Sequence, residues 1–420
     1  MKTHILLLSI TILTITVTVK AQTFIKPRNN SRVITTGVPF TLIAADARSA
    51  SMGDMGVATS ADGFSQQWNA SKYTFSETKS GIAVSYTPYL SQLVKDIFLG
   101  NVTYFNRFDD RSAFGASIRY FSLGDIELVE DEFSESLTER PNELTLDASY
   151  ALRLSDHYAM SVTMRYLRSD LKITGIDNNP ASANTFGVDI SGFYQSEENA
   201  YSDFNGRWRG GFAIQNLGPK FNYDDGGTEN FQPTTLRLGG GFDFIFDEYN
   251  TLSLTTEFSK LLVPTPPALG DVFEYEDRNG NGVYDPENGT DATDTDIEGA
   301  LVENNVIIGG QSQDVNFFKG VFQSFGDAPD GFSEELKEIV WSLGAEYAYQ
   351  DSFSFRAGYF NESEEKGFRK FIAIGAGFKA NVVNIDISYL FSASKVPSPL
   401  ENTLRFSLTF NIGSGAYSEL

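Results

Sequence analysis

Leu404-Arg405-Phe406-Ser407-Leu408-Thr409-Phe410-Asn411-Ile412 alternates apolar and polar residues without a break. Successive side chains of an extended chain point to opposite faces. Leu404, Phe406, Leu408, Phe410 and Ile412 therefore share one face, and Arg405, Ser407, Thr409 and Asn411 the other. The same period governs 234–245, where Leu236, Leu238, Phe242, Phe244 and Phe246 oppose Arg237, Asp243 and three glycines. At 382–392, Val383, Ile385, Ile387, Tyr389 and Phe391 oppose Asp386 and Ser388.

Outward from these, fourteen segments of such alternation follow one another: 80–89, 97–106, 112–122, 142–153, 158–168, 185–195, 207–217, 234–245, 251–262, 338–349, 352–361, 369–379, 382–392 and 401–412. About ten residues is the length of a tilted strand that crosses a bilayer. A soluble sandwich alternates too. Three features favour a membrane barrel: the strands are long, their apolar faces are rich in Phe and Tyr, and short connections alternate with long ones. Composition agrees, with 41% hydrophobic and 14% aromatic residues, 37 glycines, and 35 Phe and 19 Tyr against 3 Trp. Only every second residue of such a wall meets lipid, which keeps mean hydropathy modest. The expected fold is all-β: a 14-stranded transmembrane outer-membrane β-barrel over 80–413, closed by an N-terminal plug, with a tail at 414–420.

The first residues read as a secretory signal over 1–21. Lys2 precedes the apolar stretch Ile5 to Val19, and Val19 and Ala21 supply small residues before Gln22. The chain has no Cys, which excludes disulfides, thiolate metal sites and a lipid-anchored cysteine. Without Lys2 and Lys20, 30 bases face 55 acids, a net charge of −25. Nucleic acid and anionic lipid surfaces are poor partners for such a chain. The segment Val263 to Leu336 alone holds 16 acids against Arg278 and Lys319.

Residues 22–79 form the N-terminal extension and plug. Gln22 to Gly37 is polar and reads as extended or mobile. Thr36 to Phe75 is the one long later stretch that does not read as strand, and its small residues suit a segment packed within a barrel. Short turns at 109–110, 155–157, 247–250, 350–351 and 380–381 alternate with long connections at 123–141, 169–184, 218–233 and 263–337. Barrels of this kind keep short turns periplasmic and long loops outside, so an even strand number puts both termini in the periplasm. Six arginines (119, 165, 209, 237, 356, 405) and six acids (Asp147, Asp189, Asp243, Glu257, Glu346, Asp386) fall on the inner face. Balanced charge in a low dielectric predicts a lumen crossed by ion pairs; a conduction path is the alternative.

Ala47 to Lys72, with Met52-Gly53-Asp54-Met55-Gly56-Val57-Ala58 and then Trp68-Asn69-Ala70, resembles the N-terminal hatch of FadL-like barrels. More narrowly, the chain resembles the PorV (LptO) family of the type IX secretion system of Bacteroidota. The matching pieces are Val38-Pro39-Phe40, Ile43 to Arg48, Trp68 to Tyr73, Ser85 to Tyr89, Arg119 to Asp125, Arg165 to Leu171 and Lys260 to Pro267. The resemblance implies fourteen strands with a plug and a place beside the giant translocon barrel SprA (Sov). It also implies binding of secreted proteins through their C-terminal signal domains, and transfer to the PorU attachment machinery. The long acidic insertion and the tail depart from that pattern. A FadL-like uptake channel for hydrophobic small molecules is the rival expectation.

Among local motifs, Asp277, Asn279, Asn281 and Asp285, with the Val283 carbonyl and Gly282 at the turn, match the first nine positions of a calcium loop. Asn288 stands where a bidentate Glu is usual, and Glu287 lies one place early. A Ca2+ ion here would offset carboxylate repulsion and order a loop whose composition tends to disorder. The plainer reading is an Asp/Asn/Gly turn. Pro264, Pro266 and Pro267 stiffen the start of the acidic loop and could form a ledge for a partner. Tyr86, Pro88, Tyr89, Leu90 and Leu93, together with Phe317, Phe318, Phe322 and Phe325, are candidate apolar partner or lipid contacts; the plainer reading is aromatics tucked against their own barrel rim. No enzyme is expected. After the signal the only His is His157, in a turn of the periplasmic set, so a Ser–His hydrolase on the outer face, such as a lipid A deacylase, lacks its base.

Overall fold

The computed structural model describes residues 22–91, 93–128, 137–171, 182–223, 227–278, 280–286, 295–394 and 398–414. It divides into two compact units, one holding the barrel and one built from residues 1–30 and 268–309.

In the barrel unit fourteen antiparallel strands close on themselves: Thr78–Pro88, Ile97–Arg107, Ser112–Leu123, Asn142–Ser155, Tyr158–Asp170, Ala183–Gln195, Asn205–Leu217, Thr235–Ile245, Asn250–Leu261, Val340–Tyr349, Phe353–Asn361, Lys370–Ala380, Val383–Ser392 and Leu404–Ser414. Closure is made by the first and last, in register from Thr78↔Ser414 to Tyr86↔Phe406. A closed barrel leaves no unpaired edge in the hydrocarbon layer, the requirement for any sheet that crosses a membrane. The alternation holds as expected. On the first strand Ile82, Val84 and Tyr86 are exposed while Ala83, Ser85 and Thr87 are buried. On the last, Leu404, Phe406, Phe410 and Ile412 face out, and Arg405, Ser407 and Thr409 are buried. The barrel is thus apolar outside and polar inside, the reverse of a soluble domain.

What makes a polar interior tolerable is the plug. From Val38 to Thr74 nearly every residue is buried. The segment is built from a 3-10 turn at Pro39–Leu42, helices at Ala47–Ser51 and Ser65–Trp68, and a 3-10 turn at Ala70–Phe75. Asp46 caps the first helix by accepting from Ser49 N at 2.7 Å, and Asn69 starts the last turn by accepting from Ser71 N at 3.2 Å.

One expectation needs correction. The barrel strands do begin and end at the short-turn end, but the plug runs the length of the lumen. Its start lies among the long connections: Gly37 N donates to Phe231 O at 2.9 Å, Val38 N to the Tyr223 hydroxyl at 3.0 Å, and Arg32 pairs with Asp330 and Glu334. The stretch 31–37 therefore sits at the opposite end from the strand that finishes at Ser414. An even strand number fixes only where the barrel begins and ends, and says nothing of a segment threaded through it.

The second unit is a three-stranded antiparallel sheet. Ala268–Glu276 lies in the centre, between Gln22–Pro27 and Ile297–Gly309. Both Gln22–Gly37 and the acidic segment thus contain regular structure where extended or loop chain was expected. The hairpin escaped the pattern because its register shifts repeatedly, for example between Val272 and Phe273, which breaks the period of two.

Candidate functional site: a bolted lumen and an outward aromatic face

The lumen charges expected from the sequence are all buried, and most are paired. Arg165 binds Asp147 at 2.7 Å and Asp189 at 3.0 Å. Arg209 binds Asp243 at 2.6 Å, Arg237 binds Glu257 at 2.9 Å, and Arg356 binds Asp386 at 2.7 Å and also Glu346. The remaining two arginines reach the plug instead. Arg119 donates to the carbonyls of Phe40, Thr41 and Ile43, and Arg405 lies 3.3 Å from Asp54.

Further bonds bolt the plug to the wall. Glu257 accepts from Gly56 N at 2.8 Å and Val57 N at 2.9 Å while holding Arg237. Arg48 bridges Glu346 of the wall, at 2.8 Å, and Asp62 of the plug, at 2.7 Å. Ala47 N donates to the Ser407 hydroxyl, and Asn69 Nδ2 donates to the carbonyls of Val57 and Gly192. Trp68 packs against Arg237 and donates to Asp46 at 3.1 Å. Two wall glycines let the backbones touch. A Cβ on Gly358 would lie 2.1 Å from Met52 C, and one on Gly211 would lie 2.2 Å from Val57 O. Arg48, Asp54 and Asp62 were not foreseen as ion-pair partners, because nothing in a local pattern tells which wall carboxylate a plug side chain meets.

Toward the short-turn end the lumen holds a polar cavity of about 950 Å³, floored by Arg48, Asp62, Glu346, Arg356 and Asp386. At the long-loop end a cavity of only about 60 Å³ lies among Ile34, Leu42, Leu261, Val340, Phe360 and Arg369.

That long-loop end carries two short helices, Phe317–Gln323 and Phe332–Lys337. Buried ion pairs anchor the second. Lys366 reaches Glu334 at 2.7 Å and Glu338 at 2.9 Å, Lys260 reaches Glu335 at 3.0 Å and also Glu338, and Arg32 reaches Glu334 at 2.8 Å. Asp327 accepts from Thr265 N and Gln323, and burial pushes its carboxyl up to about 6. On this fixed base the apolar side chains point outward. Phe322 is 75% and Phe332 77% exposed, and Phe318, Phe325 and Leu336 are exposed as well.

The sequence-selected contact residues divide. Phe318 is exposed, while Phe317 is half-buried and packs on it at 4.2 Å between ring centroids. Pro264 is buried, its carbonyl accepting from Gln313, so only the half-buried Pro266 and Pro267 remain of the ledge. Tyr86 is on the outer wall against Phe98. Pro88 and Leu90 are half-buried, and Tyr89 turns inward onto Phe121. Phe322 and Phe332 are the most exposed of this surface. Phe322 and Phe325 were among the aromatics selected from the sequence; Phe332 was not, because which side of a six-residue helix faces out depends on the buried carboxylates beside it.

In the hairpin unit, Asp277 accepts from Gly280 N and Gly282 N at 2.6 and 2.9 Å, and Asn281 from Val283 N. Asp296, not selected from the sequence, accepts from Arg278 N and Asp285 N. Asn279, Glu287 and Asn288 lie outside the described residues. Among the described residues no three His, Cys, Asp or Glu side chains converge as a metal site.

A closed antiparallel barrel of fourteen strands with an apolar outer face and a plugged polar lumen defines the class: an outer-membrane β-barrel protein. The chain belongs to the PorV family. The family described as Type IX secretion system protein PorV matches residues 26–268, more than half of the sequence. The protein is therefore an outer-membrane component of type IX secretion. Among solved structures it is similar to the P. putida toluene transporter TodX, at 11% identity over 89% of this chain and 99% of that one, with a TM-score of 0.48. It is also similar to the Ralstonia pickettii toluene transporter TbuX (12%, 88% and 97%, 0.43) and to a Pseudomonas aeruginosa FadL homologue (11%, 91% and 100%, 0.42). No curated protein matches the sequence.

Proposed function

We propose that this protein is a non-enzymatic receiver of exported proteins: it takes secreted chains by their C-terminal signal domains at the SprA (Sov) translocon barrel and carries them to the PorU attachment machinery. In this reading the short-turn end is periplasmic and the long-loop end, with residues 31–37, is outside. The family match supplies the pathway, and the observation that carries the reading is the contrast at the outer end. The lumen beneath is bolted shut by hydrogen-bonded ion pairs, whereas rigidly based aromatics face outward. Exposed apolar clusters of this kind mark partner or lipid surfaces. The rival, an uptake channel for hydrophobic small molecules, would need a ligand-sized apolar site, commonly 300–1,000 Å³. The cavity near Ile34 is about 60 Å³.

Gentle purification from native outer membranes followed by mass spectrometry tests this. Recovery of a very large barrel, or of diverse secreted proteins sharing one C-terminal domain, is expected. A solitary barrel carrying fatty acid or another small hydrophobe would overturn the proposal. As part of the same proposal, Ca2+ binds at the hairpin tip through Asp277, Asn279, Asn281, the Val283 carbonyl and Asp285. Protease nicking near Asp277 should then quicken in EGTA; indifference to EGTA would count against the ion.

A further inference from the structure

The sheet of the hairpin unit has two outer edges, and one has already received an added strand. Gln22–Pro27 pairs with Ala268–Glu276 from Gln22↔Tyr275 to Pro27↔Gly270, although the two are far apart in sequence. It brings bases to the hairpin's acids: Lys26 lies 3.0 Å from Glu298 and Arg28 3.7 Å from Asp271. The other edge is open. Ile297–Gly309 is thirteen residues long and pairs only with Ala268–Glu276. Leu301, Val302, Ile307 and Ile308 are all exposed. The free N–H and C=O groups of such an edge template another strand, and the charge of Glu303 and the register shifts along it limit which strand can add.

We propose that this edge is a docking site for an extended segment of an exported polypeptide, which adds to Ile297–Gly309 as a further strand with a basic residue against Glu303. A row of unpaired peptide groups is complementary only to another extended chain, and apolar side chains on the added strand would cover those of the edge. Charge selects among such chains. Residues 22–30 and 268–309 hold eleven acids against Lys26, Arg28 and Arg278. A second copy would set the same acids beside each other, and like charges across a strand pair are destabilising. Gln22–Pro27, followed by Arg28, is the internal precedent for a basic added strand. The inference deepens the proposed function and rests on it for the source of the segment, but not for the chemistry of the edge.

Hydrogen–deuterium exchange on the full chain in lipid nanodiscs tests the edge without any natural cargo. The probes are a ten-residue peptide of alternating lysine and valine, its all-D enantiomer, and the glutamate–valine counterpart. The L-lysine peptide should slow exchange across 297–309 at least tenfold, the other two should not, and Glu303→Gln should weaken the effect severalfold. Equal protection by the D-peptide would reduce the contact to charge alone and overturn strand addition. Unchanged exchange, full protection before any peptide is added, or protection that rises with protein concentration would overturn it too. If the L-lysine peptide protects while native membranes yield no secreted proteins, the cargo reading fails and the edge stands.

Discussion

The lumen and the long-connection segment 310–339 use the same ion-pair chemistry to opposite ends. In the lumen, buried arginines and carboxylates pair along the wall and reach across to the plug through Arg48–Glu346 and Arg405–Asp54. In that segment, Lys260, Lys366 and Arg32 grip Glu334, Glu335 and Glu338, and the released face of the helices is Phe318, Phe322, Phe332 and Leu336. Buried pairs are weak evidence for stability, because desolvation offsets much of their attraction. Their shared effect here is geometric. One set holds a stopper in a single position, and the other holds a greasy surface up.

The comparison breaks most severely at Glu257. Glu257→Ala leaves two plug amides without an acceptor and Arg237 without its carboxylate, and should cost about 3–5 kcal/mol, read as a lower urea midpoint in detergent or lipid. Gly358→Val comes next. The new side chain must displace the plug backbone at Met52, so the barrel should still form but pass ions in planar bilayers, where the native chain should be quiet. A smaller effect on stability is expected at the outer face. Phe322→Ser and Phe332→Ser touch little and should shift stability by less than about 0.5 kcal/mol, yet lower the recovery of partner proteins. The subtlest test is Asp327. Its carboxyl is raised to about 6 by burial, so the folded chain holds the proton more tightly than the unfolded one. This contribution to stability is present below about pH 4 and is lost as pH rises through about 6. Asp327→Asn should flatten the dependence of thermal stability on pH between those limits.

The barrel was legible because a lipid-facing wall must alternate at every strand, and the fourteen sequence segments agree with the strands to within three residues at each end. The plug was legible as a break in that rhythm with many small residues. Its bonds were not: Arg48 meets Glu346 only because the threaded segment lies across the lumen, a juxtaposition that no local spacing encodes. The same holds for Gln22–Pro27, whose partner strand is remote in sequence. The burial of Pro264 was hidden for a different reason. Stiffness can be read from proline, but burial depends on Gln313 and the Phe317–Gln323 helix packed above it.

One experiment reaches the central contrast directly. A photo-crosslinking amino acid is placed in living cells at Phe322 on the outer face and, separately, at Tyr201 beside the short-turn cavity. Adducts to secreted proteins or to a very large barrel should form from Phe322 and be absent from Tyr201. Silence at Phe322, or the same adducts from Tyr201, would contradict an outer aromatic face that receives partners above a sealed lumen.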